Sequence, residues 1–228
     1  ECRQADYHLM IELIDHGSPS LERDLIALLS AIRPEGVLLT PPNSDHAKVL
    51  DVLDAAGVPF ARISPEQDLD RGVCVSLDET AAAFDVTEHL ISLGHRHIAH
   101  VSGPPSYAAS RSRQIGYENA VSRHGLPIDP ALQIAGDFTF ASGIRAAEQL
   151  MANTSVTAIF AANDDMALGV LQSIRGKGLD VPADVSVAGF DDTPSALFGT
   201  PPLTTIRQPV AEMAAAGTRL LVPRLAAQ

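Results

Sequence analysis

The chain has 228 residues, 46% of them hydrophobic, which is long enough for one large or two small globular domains. Its 28 acidic and 16 basic residues give a formal net charge of −12. This balance argues against direct binding of nucleic-acid phosphates by the chain itself, because such binding requires clustered Lys and Arg. It leaves open a DNA-binding module encoded elsewhere in the gene.

The cysteines and the apolar runs bear on the compartment. Cys2 and Cys74 form no CxxC pair and have no metal-ligand spacing, which favours a reduced cytosolic compartment. No apolar run approaches the roughly 18 residues of a membrane span, and no signal peptide opens the sequence. A soluble protein without a membrane partner is therefore expected, although a cleaved signal would leave no trace.

Short apolar runs typical of strands alternate with longer segments of helical period. Strands are predicted at residues 7–13, 36–40, 59–64, 97–103, 132–136, 157–163 and 185–192. Helices are predicted at Leu21–Ile32, His46–Ala56, Glu79–Leu93, Arg111–His124, Ala141–Met151, Asp165–Lys177 and Val210–Leu221. Alternation at this spacing predicts an α/β fold of βαβ units, with parallel sheets covered by helices on both faces.

The two ends of the sequence lack elements that such a fold normally has. The opening "ECRQAD" reads as the end of a helix with no strand before it, and the sequence stops about a turn after its last predicted helix. Because an α/β domain normally begins with a strand, we expect that leading elements are missing from this sequence.

Polar groups follow four consecutive predicted strands. In open parallel sheets, ligands bind at the carboxyl ends of the strands, where helices begin. Several hydrogen-bonding groups and one aromatic ring at that edge predict a polar small-molecule site. In chain order these groups are Arg111 and Arg113, Asp137 and Phe138, Asn163 with Asp164 and Asp165, and Asp191 with Asp192.

Each of these positions alone has a simpler interpretation. Asp and Asn before a helix accept amide hydrogens of its first turn, so any one of them could serve only as a cap. Their convergence at one sheet edge is what favours a ligand. In "NDD" we assign capping to Asp164 or Asp165 and the ligand contact to Asn163.

Metal binding is the less favoured interpretation of the acidic and histidine clusters. Hard cations bind clustered carboxylates, and the candidates here are Asp164, Asp165, Asp191 and Asp192. However, adjacent residues at a helix start point in diverging directions, and no Glu or His joins them at ligand spacing. The histidines of "GHRHIAH", which are His95, His97 and His100, are expected in a turn and at strand edges. No metal is therefore expected.

Enzyme signatures are absent from the sequence. It contains no G-x-S-x-G elbow, no G-x-G-x-x-G fingerprint and no phosphate-binding loop, and "GKG" at 176–178 is a helix end. No cofactor and no catalytic residue are predicted, although a carboxylate acid–base pair needs no fixed spacing and stays open.

Longer stretches carry a family resemblance. The chain from Tyr7 to Leu221 resembles the effector-binding domain of the LacI/GalR family of transcriptional regulators, in "TEHLISLGHRHIAHVSGP", "SRSRQIGYENAV" and "GDFTFASGIRAAEQLM". The block from "FAANDDMALG" through "LTTIRQP" is the most specific part of the resemblance. The resemblance implies two doubly wound parallel-sheet subdomains, periplasmic-binding-protein-like, with a ligand cleft between them. The amino-terminal subdomain would be 1–75 plus 209–228, without its first strand, and the carboxyl-terminal one 76–208.

The resemblance also implies a site, partners and a mode of action. Family effector contacts fall on Arg113, Phe138, Asn163, Asp191 and Gln208; the first four already stand at the predicted strand ends, and Gln208 adds a crossover position. The implied effector is a small, sugar-like polar molecule, and the implied protein is a homodimer. Operator DNA would be bound only through a helix-turn-helix domain absent from this chain. A sugar-binding component of a transporter, which shares the fold, is the alternative; a secretion signal before residue 1 would indicate it.

Overall fold

The computed structural model describes residues 1–153 and 155–225. The chain divides into two compact units: unit 1 comprises Glu1–Leu77 and the chain from Pro209 onward, and unit 2 comprises Asp78–Gln208. None of the helices in the described residues combines the length and apolar character required to span a bilayer.

Unit 1 contains a three-stranded parallel sheet in the order β1-β2-β3. Val37 pairs with Phe60 across the first two strands, and Ala61 pairs with Val73 across the second two. The strands are β1 (Val37–Leu39), β2 (Phe60–Ile63) and β3 (Val73–Val75), and the helices are α1 (Leu21–Ile32), α2 (Ala47–Ala55) and α7 (Val210–Leu225).

Helices cover both faces of this sheet, as the alternation of its side chains requires. Leu39 and Phe60 pack with Leu21 and Leu25 of α1 and with the apolar face of α2. On the other face, α7 packs on the strands through Leu221. The prediction of a parallel α/β architecture is confirmed in unit 1.

The predicted strand at 7–13 is wrong. The segment has no regular structure, and Ile11 and Leu13 are 80% and 96% exposed. A strand forms only where a neighbouring strand takes its hydrogen bonds, and no strand of the unit 1 sheet pairs with this segment. Apolar periodicity without a partner strand therefore gave the wrong prediction here. "ECRQAD" forms a short 3-10 helix, Cys2–Ala5, ending at Asp6 in the left-handed conformation.

Unit 2 contains a five-stranded sheet in the order β5-β4-β6-β7-β8, and every neighbouring pair is parallel. The strands are β4 (Ile98–Ser102), β5 (Gln133–Ala135), β6 (Ala158–Ala161), β7 (Ser186–Asp191) and β8 (Thr204–Arg207). The helices are α3 (Glu79–Ser92), α4 (Ala108–Arg123), α5 (Phe140–Asn153) and α6 (Asp164–Gly176).

Two closely packed helix pairs cover this sheet. Helices α5 and α6 touch through two glycines: a Cβ on Gly143 would collide with the backbone of Met166, and one on Gly169 with the backbone of Phe140. Helices α3 and α4 form the second pair. The close crossing of α5 and α6 holds their first turns side by side, at the edge where β5 and β6 end.

All seven predicted helices are present, and most begin or end within two residues of the predicted position. Two differ more: α4 begins at Ala108, three residues before the predicted start, and α7 continues to Leu225, four residues past the predicted end. The sequence reading missed β3 and β8, because such short strands lack an alternation long enough to recognise.

Candidate functional site

The carboxyl edge of the unit 2 sheet brings together the five predicted ligand residues. A chain of contacts joins them: Gln208 bonds Asp191, Asp191 lies beside Arg113, Arg113 donates to the carbonyl oxygen of Ala162, and the next residue, Asn163, donates to the carbonyl of Phe138. Parallel strands end at the same edge, so residues far apart in sequence meet there.

Arg113 is buried and held on several sides. Its Nε donates to Glu79 Oε2 at 2.8 Å, and its Nη1 donates to the carbonyl oxygen of Ala162. The guanidinium carbon lies 3.8 Å from the centroid of the Phe190 ring, a cation–π geometry. The arginine and Glu79 side chains are only 4% and 8% exposed. Such a pair fixes the direction of the guanidinium within the site.

Asp191 ends β7 with an unusual backbone and an unusual carboxyl group. Its φ is 123°, and its Oδ1 lies 3.6 Å from Arg113 Nη1. Burial raises the pKa of this carboxyl to about 6, while Arg113 and the hydrogen bond from Gln208 oppose the rise; Asp164 and Glu79 add to it. At neutral pH the group is mostly ionised and only partly compensated.

Gln208 is the last residue of unit 2, just beyond β8. Its side-chain Nε2 donates to Asp191 Oδ1 at 2.5 Å, and its backbone N–H donates to the Asp191 carbonyl at 3.2 Å. Helix α7 of unit 1 begins two residues later, at Val210. A site carboxylate is thus bonded directly to the segment that leads into the other unit.

Asn163 caps α6, so the assignment of that cap to Asp164 or Asp165 is wrong. A cap residue stands just before the helix in an extended conformation, and Asn163 has φ −150° and ψ 169°, whereas Asp164 is already helical. Asn163 Oδ1 accepts from Met166 N at 3.0 Å, and its Nδ2 donates to the Phe138 carbonyl at 3.0 Å. Because an amide has two donor hydrogens and two acceptor lone pairs, half of its capacity remains.

Phe138 places an aromatic ring beside these polar groups. Its backbone has φ 65°, and its ring meets Tyr107 edge-on, with centroids 5.4 Å apart. The ring lies against Gly103, where a Cβ would collide with it and with Ser110 Oγ. The absent side chain at position 103 therefore makes room for the ring.

Backbone strain concentrates at this edge. In the described part of unit 2, the non-glycine residues with positive φ are Phe138, Asp191 and Asp192. All three follow or end strands at the carboxyl edge. Sparsely populated backbone conformations persist only where surrounding structure enforces them, and they cluster at ligand-binding sites.

Two buried acids support the site: sequence reasoning missed Glu79, and it placed Asp164 at this edge but gave it the role of a helix cap. Glu79 holds Arg113, as described above. Asp164 is fully buried: its Oδ2 accepts from Thr193 N at 2.7 Å and from Thr193 Oγ1 at 3.0 Å, and its Oδ1 accepts from Thr205 Oγ1 at 2.6 Å. It joins the start of α6 to the segment after β7 and to β8. Both acids are first residues of helices, and that position alone does not distinguish a supporting acid from a solvated one.

The other polar residues predicted at this edge have different roles. The pKa of Asp137 is lowered to about 2, chiefly by its hydrogen bond with Thr139, and its Oδ2 also pairs with Arg145 at 3.0 Å. Arg111 donates to the Pro105 carbonyl at 3.0 Å in the loop before α4. Asp192 is exposed. These groups shape the rim of the site.

The histidines of "GHRHIAH" are separated. His95 lies at the opposite, amino edge of the sheet, where its ring nitrogens lie 3.0 Å from the hydroxyls of Thr157 and Ser186. His100, expected at a strand edge, is instead buried in mid-strand between the rings of Tyr117 and Phe160. Burial lowers its pKa to about 4. Within residues 1–153 and 155–225, no three His, Cys, Asp or Glu side chains are arranged to hold a metal ion.

A separate concavity of about 760 Å³ lies in unit 1 between α1 and α2. Ile26, Leu29 and Val52 contribute apolar side chains to its wall, and Arg33 and Asp51 lie at it. None of the five predicted ligand residues lines it. The convergence of buried polar groups described above has no counterpart in its lining.

Comparison with known proteins identifies the family. The family model of the periplasmic binding protein-like domain matches residues 87–228. The HTH-type transcriptional regulator DegA of Bacillus subtilis is 34% identical over 199 residues, 86% of this chain and 59% of DegA. A LacI-family regulatory protein from Chloroflexus aggregans superposes with a TM-score of 0.86 at 29% identity, covering 98% of this chain and 80% of that one. The chain belongs to the LacI family.

A second curated relative is also a transcriptional regulator, and one similar solved structure holds a ligand. The regulator CelR of Thermobifida fusca is 36% identical over 197 residues, 84% of this chain and 57% of CelR. A solved complex of CelR with cellobiose superposes with a TM-score of 0.83 at 35% identity, covering 92% of this chain and 65% of that one. The chain thus spans less than two thirds of the length of these curated relatives. The family resemblance noted in the sequence is confirmed.

Proposed function

We propose that this LacI-family chain is the effector-binding and dimerisation domain of a transcriptional regulator that acts in the cytoplasm. It binds a small, sugar-like polar ligand at the carboxyl edge of the unit 2 sheet. Binding alters the affinity of the whole regulator for its operator DNA, through a DNA-binding domain outside this chain. The relatives named above are transcriptional regulators, which favours this function over the solute-binding component of a transporter.

One observation supports this proposal above the others: Arg113, Asp191 and Gln208 are linked, and they lie near the half-buried Asn163, whose side chain has a donor and an acceptor left over. A guanidinium donates hydrogen bonds, a carboxylate accepts them, and an amide does both. This combination suits the paired hydroxyls of a saccharide. Phe138 supplies the apolar surface against which the carbon–hydrogen face of a sugar ring packs.

Each polar residue then has a role that follows from its geometry. Arg113 donates to ligand oxygens, Asp191 accepts from ligand hydroxyls, and Asn163 uses its remaining donor and acceptor. Loss of one buried hydrogen-bonding partner generally costs about 1–3 kcal/mol of binding free energy. Removal of any of the three is therefore expected to weaken the effector's affinity by roughly ten-fold or more.

The bond between Asp191 and Gln208 offers a route from the ligand to the other unit. A ligand hydroxyl that engages the Asp191 carboxylate changes the partner set of Gln208, which precedes α7 by two residues. A ligand shifts a conformational equilibrium by its difference in affinity for the two states. In the intact homodimer, this shift changes the spacing of the two DNA-reading domains against operator half-sites.

A thermal-shift screen tests the proposal. Cellobiose is the first probe, because CelR was solved with it, followed by other disaccharides, monosaccharides and nucleosides. A ligand at 100 times its Kd stabilises the fold by about 2.7 kcal/mol, which raises the Tm of a domain of this size by roughly 5–10 °C. The Asp191→Ala variant should lose this response. If no saccharide or nucleoside raises the Tm of the wild-type chain, the proposed function is wrong.

A further inference from the structure

We propose that Glu79 makes this site reject anions, so that the effector is an uncharged polyhydroxyl compound and not a sugar phosphate or a sugar acid. The inference rests on the proposed function and specifies the ligand class of the same site. Glu79 would be its specificity-determining residue.

The argument begins with Arg113, the buried cation of the site. An arginine beside a ligand ordinarily favours phosphate or carboxylate, which it binds in a bidentate manner. Here Glu79 Oε2 already accepts from its Nε at 2.8 Å, and the carbonyl oxygen of Ala162 accepts from Nη1. Because this pair is almost completely buried, solvent ions screen it little, and its charges stay matched to each other.

The charged side chains that pair with Arg113 are both carboxylates, those of Glu79 and Asp191. Asp191 Oδ1 lies 3.6 Å from Arg113 Nη1. Asp164 is fully buried. Asp164 and Glu79 both act on Asp191 through space, where they raise the pKa of its carboxyl. One buried cation thus stands among three carboxyl groups. The field at the site is negative, and an incoming anion is repelled by it.

Helix amino termini at the same edge could in principle counter this field, since their free amides attract anions. At two of these helix starts a side chain of the protein already accepts a hydrogen bond from one backbone amide. Asn163 Oδ1 accepts from Met166 N in α6, and Asp137 Oδ1 accepts from Thr139 N before α5. Asp165 adds a further negative charge in the first turn of α6.

Hydrogen-bond matching gives the same result. Among the described residues, Arg113 Nη2 has no hydrogen-bond partner, so it can donate to a ligand oxygen. Asp191, next to it, can only accept when ionised. A hydroxyl group accepts from the first and donates to the second, whereas a deprotonated phosphate or carboxylate oxygen can only accept and leaves the Asp191 carboxylate unmatched. The site is complementary to hydroxyls.

The test uses inorganic phosphate as the anionic probe on the 228-residue chain at pH 7. Tm is recorded up to about 10 mM phosphate, against chloride at equal ionic strength, where general stabilisation by phosphate is small. The variants are Glu79→Gln, which keeps an acceptor for Arg113 but removes the charge, and Asp85→Asn, which removes one exposed charge from the same helix. We expect a phosphate-dependent rise in Tm of a few degrees only in Glu79→Gln.

Three results would overturn the inference. A phosphate-dependent rise in the wild type shows that the site accepts anions. No rise in a folded Glu79→Gln variant shows that this residue is not what excludes them, and an equal rise in Asp85→Asn shows a non-specific charge effect. If Glu79→Gln does not fold, the test is made on the wild type with cellobiose and its sugar acid, cellobionate. An equal rise in Tm with the two compounds contradicts the inference. Failure of every saccharide to bind would instead contradict the proposed function.

Discussion

Replacement of Asp191 by Asn should make the chain more stable at neutral pH, although it removes a proposed ligand contact. Burial raises the pKa of this carboxyl from 3.8 to about 6. A raised carboxyl pKa means that the folded protein favours the protonated form of Asp191. The contribution of Asp191 to the unfolding free energy is therefore complete below about pH 4 and is lost as pH rises through 6. One pKa unit corresponds to about 1.4 kcal/mol, so the full effect is about 3 kcal/mol.

The pH dependence is the specific part of this prediction. The unfolding free energy of Asp191→Asn should exceed that of the wild type by a margin that grows as pH rises. From pH 5 to pH 7, the linkage relation predicts that this margin grows by on the order of 1 kcal/mol. Urea unfolding followed by circular dichroism at pH 5, 6 and 7 measures it. Asp192→Asn is the matched control, because this neighbour is exposed and also has a positive φ.

The difference between variant and wild type is used because a second group acts in the opposite direction. Burial lowers the pKa of His100 from 6.5 to about 4, so its contribution is lost as pH falls below 6.5. Burial also lowers the pKa of His95, which acts in the same direction as His100, so the wild-type curve alone does not isolate the contribution of Asp191. If Asp191→Asn and wild type give parallel curves between pH 5 and 7, Asp191 is not a strained, partly neutral group, and the reasoning fails.

Three further variants test the supporting contacts. Asp164→Ala leaves three donors without their acceptor, so it should lower the unfolding free energy by about 2–3 kcal/mol. Asp165 is exposed, so the control Asp165→Ala should change the unfolding free energy by less than about 0.5 kcal/mol. Equal effects of the two variants in urea unfolding would refute the anchoring role of Asp164. Asn163→Asp keeps the α6 cap but loses the bond that Nδ2 donates to the Phe138 carbonyl, so the unfolding free energy should fall by about 1–2 kcal/mol. Effector affinity, measured on the folded variant by calorimetry, should fall by about ten-fold because the amide donor is lost, and unchanged affinity would remove this residue from the site. Gly103→Ala places a methyl against the Phe138 ring, so effector affinity should fall more than stability, and a variant with wild-type affinity would show that the ring's position is not required.

Much of the architecture could be predicted from sequence because its signals are local. Helix α1 begins and ends at the predicted residues, since its apolar period starts directly after Ser20 and the chain leaves the helix at Arg33, before Pro34. Strand runs such as β6 are continuous and apolar because both faces of their sheet are covered. The segment 7–13 has a similar apolar composition but no pairing strand, and pairing is not visible in a local pattern.

The site was partly predictable for a related reason. The carboxyl edge follows from parallel topology, so Asp191 and Phe138 could be placed there from strand order alone. The partners of each group could not be predicted. Glu79 lies 34 positions from Arg113, and Asp164 reaches Thr193 and Thr205 across 29 and 41 positions. The α6 cap was assigned one or two residues too late, because three adjacent cap-forming residues give no local basis for choosing among them.

The central claim is that the effector binds at the carboxyl edge of the unit 2 sheet through Asp191. The most direct measurement is isothermal titration calorimetry of a saccharide that raises the Tm, on wild type, Asp191→Ala and the exposed neighbour variant Asp192→Ala. The account predicts a loss of about ten- to hundred-fold in affinity for Asp191→Ala, from one lost buried partner, and wild-type affinity for Asp192→Ala. Unchanged affinity in Asp191→Ala would contradict it.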